Sequence, residues 1–98
     1  MDKEETKMPE LLPLGSVVTL REGNKKIMIV GRLQKHMETE EICDYAAVLW
    51  PEGLIDSKRF YLFNQDDIQC LYFVGLQDVE EFNYRYELED QYNQLSHP

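Results

Sequence analysis

The run from Lys25 to Lys35 constrains the fold more than any other segment. Its centre, Ile27-Met28-Ile29-Val30, is apolar at every position rather than at every second one. A strand with one wet face alternates apolar and polar residues. Four apolar residues in a row therefore predict a strand covered on both sides and central in its sheet. Gly31 interrupts the run, and a glycine inside a strand marks a bulge or a bend.

Shorter β-type runs flank this strand, each bounded by turn residues. Pro9 and Pro13 bracket an apolar lead-in of Leu11, Leu12 and Leu14. Gly15 opens a first strand, Ser16 to Arg21, and Glu22-Gly23-Asn24 makes the turn into the second. His36 to Glu41 is polar and reads as a loop. A third strand, Ile42 to Trp50, stops at Pro51, which has no N–H to donate, and Pro51-Glu52-Gly53 forms a turn. Arg59 to Phe63 is a short fourth strand. Asn64-Gln65-Asp66-Asp67 reads as one helical turn capped by Asn64, and Ile68 to Val74 is the fifth strand. Cys70 is expected in the core.

From Asp78 the period becomes helical, with Asp78 as the cap and Glu80 and Glu81 in the first turn. Val79, Phe82 and Tyr86 share one side of the helix; Tyr84, Leu88, Tyr92 and Leu95 share nearly the opposite side. A helix covering a small sheet needs one apolar stripe. Two stripes imply that one packs inward while the other meets a partner, or that the tyrosines simply tolerate partial exposure and the helix frays before Tyr92. The expected architecture is mostly β: a small five-stranded antiparallel SH3-like barrel, or a strongly bent sheet, with a C-terminal α-helix. Residues 1–10 are expected to be a disordered acidic tail, residues 11–76 the β-barrel domain, and residues 77–95 a C-terminal amphipathic helix packed on it.

Charge bears directly on partners. The net charge of -9 is a poor match for nucleic acid or an anionic membrane, because phosphate contacts require positive charge. Its distribution is uneven. Arg21 to Lys35 holds five bases and one acid, whereas Asp78 to Asp90 holds six acids and one base. The basic strip is either ordinary solvated charge, or a docking face for an acidic partner or for the chain's own acidic helix. The start of the sequence has no apolar core of a signal peptide, and no apolar run approaches the length of a membrane span. A cytoplasmic location is expected.

Residues for chemistry are sparse. Cys43 and Cys70 lie far apart and form no CxxC, so both are read as reduced thiols. His36 and His97 have no cysteine or carboxylate partner at metal or nucleophile spacing. There is no glycine-rich phosphate loop. Asp66-Asp67 reads as capping rather than acid–base chemistry, and Glu38, Glu40 and Glu41 lack the spacing of a calcium loop. No catalytic, cofactor or metal residue is assigned, and the chain is read as a non-enzyme. Aromatic residues make up 11% of it, and strand alternation puts about half of the strand rings inside. Trp50 and Tyr61 are the rings expected outside.

Four ordered motifs carry a resemblance. They are Leu12-Pro13-Leu14-Gly15-Ser16-Val17-Val18, Lys25 to Arg32, Asp44-Tyr45 through Pro51-Glu52-Gly53, and Phe63-Asn64-Gln65-Asp66-Asp67-Ile68. Over Leu11 to Gly75 the chain resembles the domain-of-unknown-function family numbered four-one-seven-six. The resemblance implies a companion of LXG-type toxins, encoded beside type VII secretion loci of Gram-positive bacteria. Its implied role is a targeting or chaperone-like adaptor that binds the toxin or its helical partners. The Pro-Glu-Gly turn is then either a contact through Glu52 or a turn whose backbone needs glycine. The expected partner contacts are Trp50, Glu52, Tyr61, Tyr84, Leu88 and Tyr92, and a homodimer is a further option. An immunity protein that covers a toxin's active site is the alternative function. A nucleic-acid module has only the basic strip in its favour.

Overall fold

The computed structural model describes residues 10–96, with side chains to residue 94. The expectations for the N-terminal tail before Glu10, for the Leu95 side chain and for His97 lie outside these residues. Five strands form one antiparallel sheet: β1 (Val17–Leu20), β2 (Ile27–Lys35), β3 (Ile42–Leu49), β4 (Tyr61–Phe63) and β5 (Ile68–Phe73). One helix, α1 (Val79–Ser96), follows. The spatial order is β4-β3-β2-β1-β5, so β2 is the middle strand as expected, but it is covered on one side only: Ile27 and Ile29 are buried, whereas Met28 is half-buried and Val30 exposed. Its register against β3 slips between Ile29 and Gly31, which places the bulge at the glycine.

The sheet is open. β4 and β5 lie at opposite margins and do not pair, so the closed-barrel expectation is corrected to a five-stranded open sheet with a C-terminal helix. The physical reason lies in strand length. β4 has three residues and is matched to β3 only through Tyr45–Ala47, which leaves little ladder to close against β5.

One face of the sheet carries the core. Leu11, Val18, Ile29, Tyr45, Phe63 and Leu88 are buried together there. Tyr45 organises it. Its ring lies 5.3 Å from that of Phe63, and its hydroxyl accepts the Leu12 N–H at 2.9 Å. The same hydroxyl donates to Gln65 Oε1. The apolar lead-in and the short helical turn are thus both tied to β3. That turn, Gln65–Asp67, is further held by Asn64. The Asn64 Oδ1 accepts the Asp44 N–H at 2.9 Å, and its N–H donates to Asp67. The Gln65 N–H donates in return to the Asp44 carboxylate at 2.9 Å.

Two glycines are required by the backbone. Gly53 sits at φ +81° in the Pro51-Glu52-Gly53 turn, a conformation L side chains rarely adopt. At Gly75 a Cβ would meet the Leu14 carbonyl oxygen at 1.9 Å, because the chain leaving β5 crosses the lead-in there.

Helix α1 begins where Asp78 Oδ1 accepts the Glu81 N–H at 2.9 Å. Its buried line is Glu81, Arg85, Leu88 and Tyr92, at spacings of about one turn. Neither apolar stripe read from the sequence faces the sheet as a whole. Val79, Phe82 and Tyr86 are exposed, and the second stripe divides between Tyr84 outside, Leu88 inside and Tyr92 half-buried. Two charged side chains occupy positions that a hydrophobic pattern would leave in water. Cys70 also departs from expectation: it is exposed, because β5 is a margin strand rather than an inner one.

Candidate interaction surface

The six residues expected to meet a partner are dispersed. Trp50, directly after β3, is 44% exposed. Glu52 is exposed and pairs with Lys25 at 2.8 Å, a bond that holds its carboxyl below the usual range. Tyr61 on β4 and Tyr84 on α1 are exposed, and Tyr92 is half-buried. Leu88 is 2% exposed and belongs to the core, which corrects its assignment as a surface contact. It lies two turns beyond Glu81 on the same side of the helix, and the bond of Glu81 to Arg32 of β2 holds that side against the sheet.

Three grooves collect the exposed apolar groups. The first, about 350 Å³, brings Trp50 beside Val17, Lys26, Met28, Tyr72 and Phe73. Lys26 Nζ stands 5.0 Å over the Tyr72 ring. The second, about 340 Å³, places Tyr61 with Leu20, Ile27, Leu49 and the Lys25 stem. The third is a cleft of about 770 Å³ between α1 and β2, to which Tyr84 belongs. Trp50 and Tyr61 therefore serve different grooves, and Tyr84 a third.

The feature missed in the sequence is the margin strand β5. From Ile68 to Val74 it carries no charged residue, and Phe73 is 60% exposed with Leu71, Tyr72 and Val74 close behind. Its only ladder is with β1, so the N–H and C=O groups of its outer side have no strand partner among the described residues. Margin strands are normally protected by lysine, proline, bulges or brevity. The opposite margin, β4, follows that rule, being three residues long with Lys58 and Arg59 just before it. The signal in the sequence is a run of seven uncharged residues, Ile68 to Val74, but composition alone does not place a strand at a margin.

The basic strip is largely used within the chain. Arg32 reaches across to α1 and grips Glu81 in a fork, Nη1 to Oε2 at 2.7 Å and Nη2 to Oε1 at 2.8 Å. Arg85 adds bonds to the same carboxylate at 2.8 and 3.1 Å, and one to Glu10 at 3.1 Å. The Arg32 bonds, with help from Arg85, hold the Glu81 carboxyl below the usual carboxylate range despite its burial. Arg21 donates to the Asp66 carbonyl at 2.8 Å. The acidic helix is thus the docking partner of the strip's central arginine.

Other titratable groups have local causes. Burial pushes the Asp44 carboxyl up, Asp66 and Asp67 add to this, and the Gln65 N–H works against it. Burial likewise raises the Cys43 thiol. His36 Nδ1 accepts the Glu38 and Thr39 N–H groups at 3.2 and 3.4 Å, so this ring shapes its own loop. Among the described residues, no group of three or more His, Cys, Asp or Glu side chains is placed to hold a metal ion, and no helix is long and apolar enough to cross a membrane.

Fold and surface together define a small open-sheet protein with an acidic helix clamped to one face and apolar grooves outside. The chain belongs to the family described as Domain of unknown function (DUF4176), whose model matches residues 11–84. The match runs past Gly75 into α1 and includes both Arg32 and Glu81. No curated protein and no solved structure matches the chain.

Proposed function

We propose that this protein is a non-catalytic accessory protein of the cytoplasm that works by holding a protein partner. The observation that carries this reading is β5, a six-residue margin strand with apolar side chains outside and a free hydrogen-bonding side. Addition of a partner strand satisfies such an edge through backbone bonds, while pockets for alternate side chains supply selectivity. The groove of Trp50, Met28 and Tyr72 beside the strand is a ready pocket. The family resemblance points to an LXG-type toxin or its helical partners as the bound protein, and to targeting or chaperoning for type VII secretion as the purpose.

Co-purification with an LXG-type protein is the test. A complex is expected at about micromolar concentration. Leu71→Lys, which places a charge on the exposed strand, should abolish it while the monomer stays folded. No complex with the unaltered protein, or a complex indifferent to Leu71→Lys and to Phe73→Lys, counts against this reading. An immunity role is the second reading, supported by the acidic helix: carboxylates suit the covering of a basic active site. A toxicity-rescue assay separates the two, since an adaptor gives no protection.

A further inference from the structure

We propose that the cleft between α1 and β2 receives an amphipathic helix of a partner protein whose apolar stripe is flanked by lysine or arginine. The cleft exists because α1 approaches the sheet through long side chains, with Arg32 of β2 as the strut to Glu81 and Arg85 bracing that carboxylate from within the helix. Beside those struts the floor is Val30 and the side-chain-free Gly31, with Leu14 and Leu76 as apolar walls. Leu76 is 76% exposed, an unusual loss for a leucine beside a pocket of this size.

The helical side of the cleft is formed by Glu80, Asn83, Tyr84 and Glu87. They recur at i, i+3, i+4 and i+7, the rows along which one helix packs against another. A volume of about 770 Å³ beside this row accommodates several side chains of a second helix.

Charge fixes the chemistry of the occupant. Asp78, Glu80 and Glu87 line the cleft, and none of them has an ion-pair partner among the described residues. The one cation in the wall, Arg32, is committed to Glu81. Yet Arg32 has one donor to spare. Its side chain is 3% exposed, and its Nε is buried without an acceptor. That donor is closed off from solvent, so it is a cost of the clamp and is not offered to a partner. A second copy of this chain is a poor occupant, because its own helix would bring acids against acids. Nucleic acid is repelled for the same reason.

The probe is a synthetic peptide with leucines on a helical stripe and lysines elsewhere. Its controls are a scrambled version and a Leu/Glu version of the same pattern. Titration by calorimetry should show the Leu/Lys helix binding at least about tenfold more tightly than the scrambled peptide. Glu80→Lys with Glu87→Lys should reduce that binding at least about tenfold and admit the Leu/Glu peptide instead. Glu38→Lys with Glu40→Lys makes the same change in net charge in the β2–β3 loop, outside the cleft lining, and should leave affinity within about twofold. Leu76→Asp gives a second test by breaking the apolar wall, and it should also weaken binding although it adds a negative charge. Both cleft residues are exposed, and a urea transition confirms that the variants fold. Equal binding of the scrambled peptide, or equal loss from the loop reversal, would mean that only bulk charge is at work and overturns the proposal. This surface is separate from β5: Leu71→Lys should leave peptide capture unchanged, so the failure of one reading does not carry over to the other.

Discussion

Replacing Glu81 with glutamine keeps the side chain's shape and removes its charge. In the native protein this carboxylate accepts two bonds from Arg32 and two from Arg85, between 2.7 and 3.1 Å. The side chains of Arg32, Arg85 and Glu81 are 3%, 7% and 11% exposed, so solvent screens none of them well. After the change Arg85 still reaches Gln77 and the exposed Glu10, whereas Arg32 loses its counter-ion and one of its two bonds at position 81, because the amide NH2 that replaces a carboxylate oxygen is itself a donor. Breaking a buried pair from one side costs about 3–5 kcal/mol, because the remaining charge stays buried. Domains of ordinary size hold about 5–15 kcal/mol in total. The melting temperature should fall by at least about 12 °C, taking the lower bound of about 4 °C per kcal/mol. A thermal melt followed by circular dichroism at neutral pH measures this fall, and urea unfolding gives the free-energy loss with the slope of the transition unchanged.

Acid supplies the second half of that test. Glu81 is held below its ordinary value of 4.5, so the unfolded chain takes up its proton first as pH falls. The stabilisation is therefore complete above the unfolded value and is lost as pH drops through the folded one. The gap between wild type and Glu81→Gln should close across that window. Replacing all three charges with leucine or methionine should restore stability to the wild-type level or above it, since apolar packing avoids the desolvation cost. A Glu81→Gln midpoint within about 0.5 kcal/mol of wild type, or a gap that persists in acid, refutes the reasoning.

Other changes should follow equally specific patterns. Burial pushes the Tyr45 hydroxyl up from 10.0 to about 12, so its stabilisation is intact below the unfolded value and lost as pH rises through the folded one. Tyr45→Phe should cost about 1–2 kcal/mol at neutral pH and flatten the alkaline decline between those values, as read by urea midpoints. Leu88→Ala should cost about 2–5 kcal/mol, whereas Tyr84→Ala should stay within about 0.5 kcal/mol, a contrast that thermal melts resolve. Gly75→Ala should cost about 1–3 kcal/mol by driving a methyl into the Leu14 carbonyl, while Gly23→Ala, with open space around it, should be neutral in the same assay.

Local chemistry was legible in the sequence, and distant pairing was not. The apolar run of β2, the bulge at Gly31 and the caps at Asn64 and Asp78 each depend on residues a few positions apart. Trp50 and Tyr61 were expected outside because a strand must turn some rings to water, and both are exposed. Leu88 and Cys70 were misplaced for one reason: their surroundings are set by which elements are neighbours. The wheel of α1 was read as if only apolar residues could face inward. Arg32 and Glu81 stand 49 residues apart, and nothing local announces that each is the other's counter-ion. The free margin at β5 was hidden in the same way, since an apolar strand in the middle of a sheet and one at its border have the same composition.

The unequal borders of the sheet limit how far assembly can go. A chain that offered a long bare strand at both ends could be extended indefinitely, each molecule templating the next into a fibre. Here one end is short and flanked by Lys58 and Arg59. Whatever strand is laid along Ile68–Phe73 finishes the sheet on that side, and the other side does not restart it. Adhesion of this kind stops at a single pairing event.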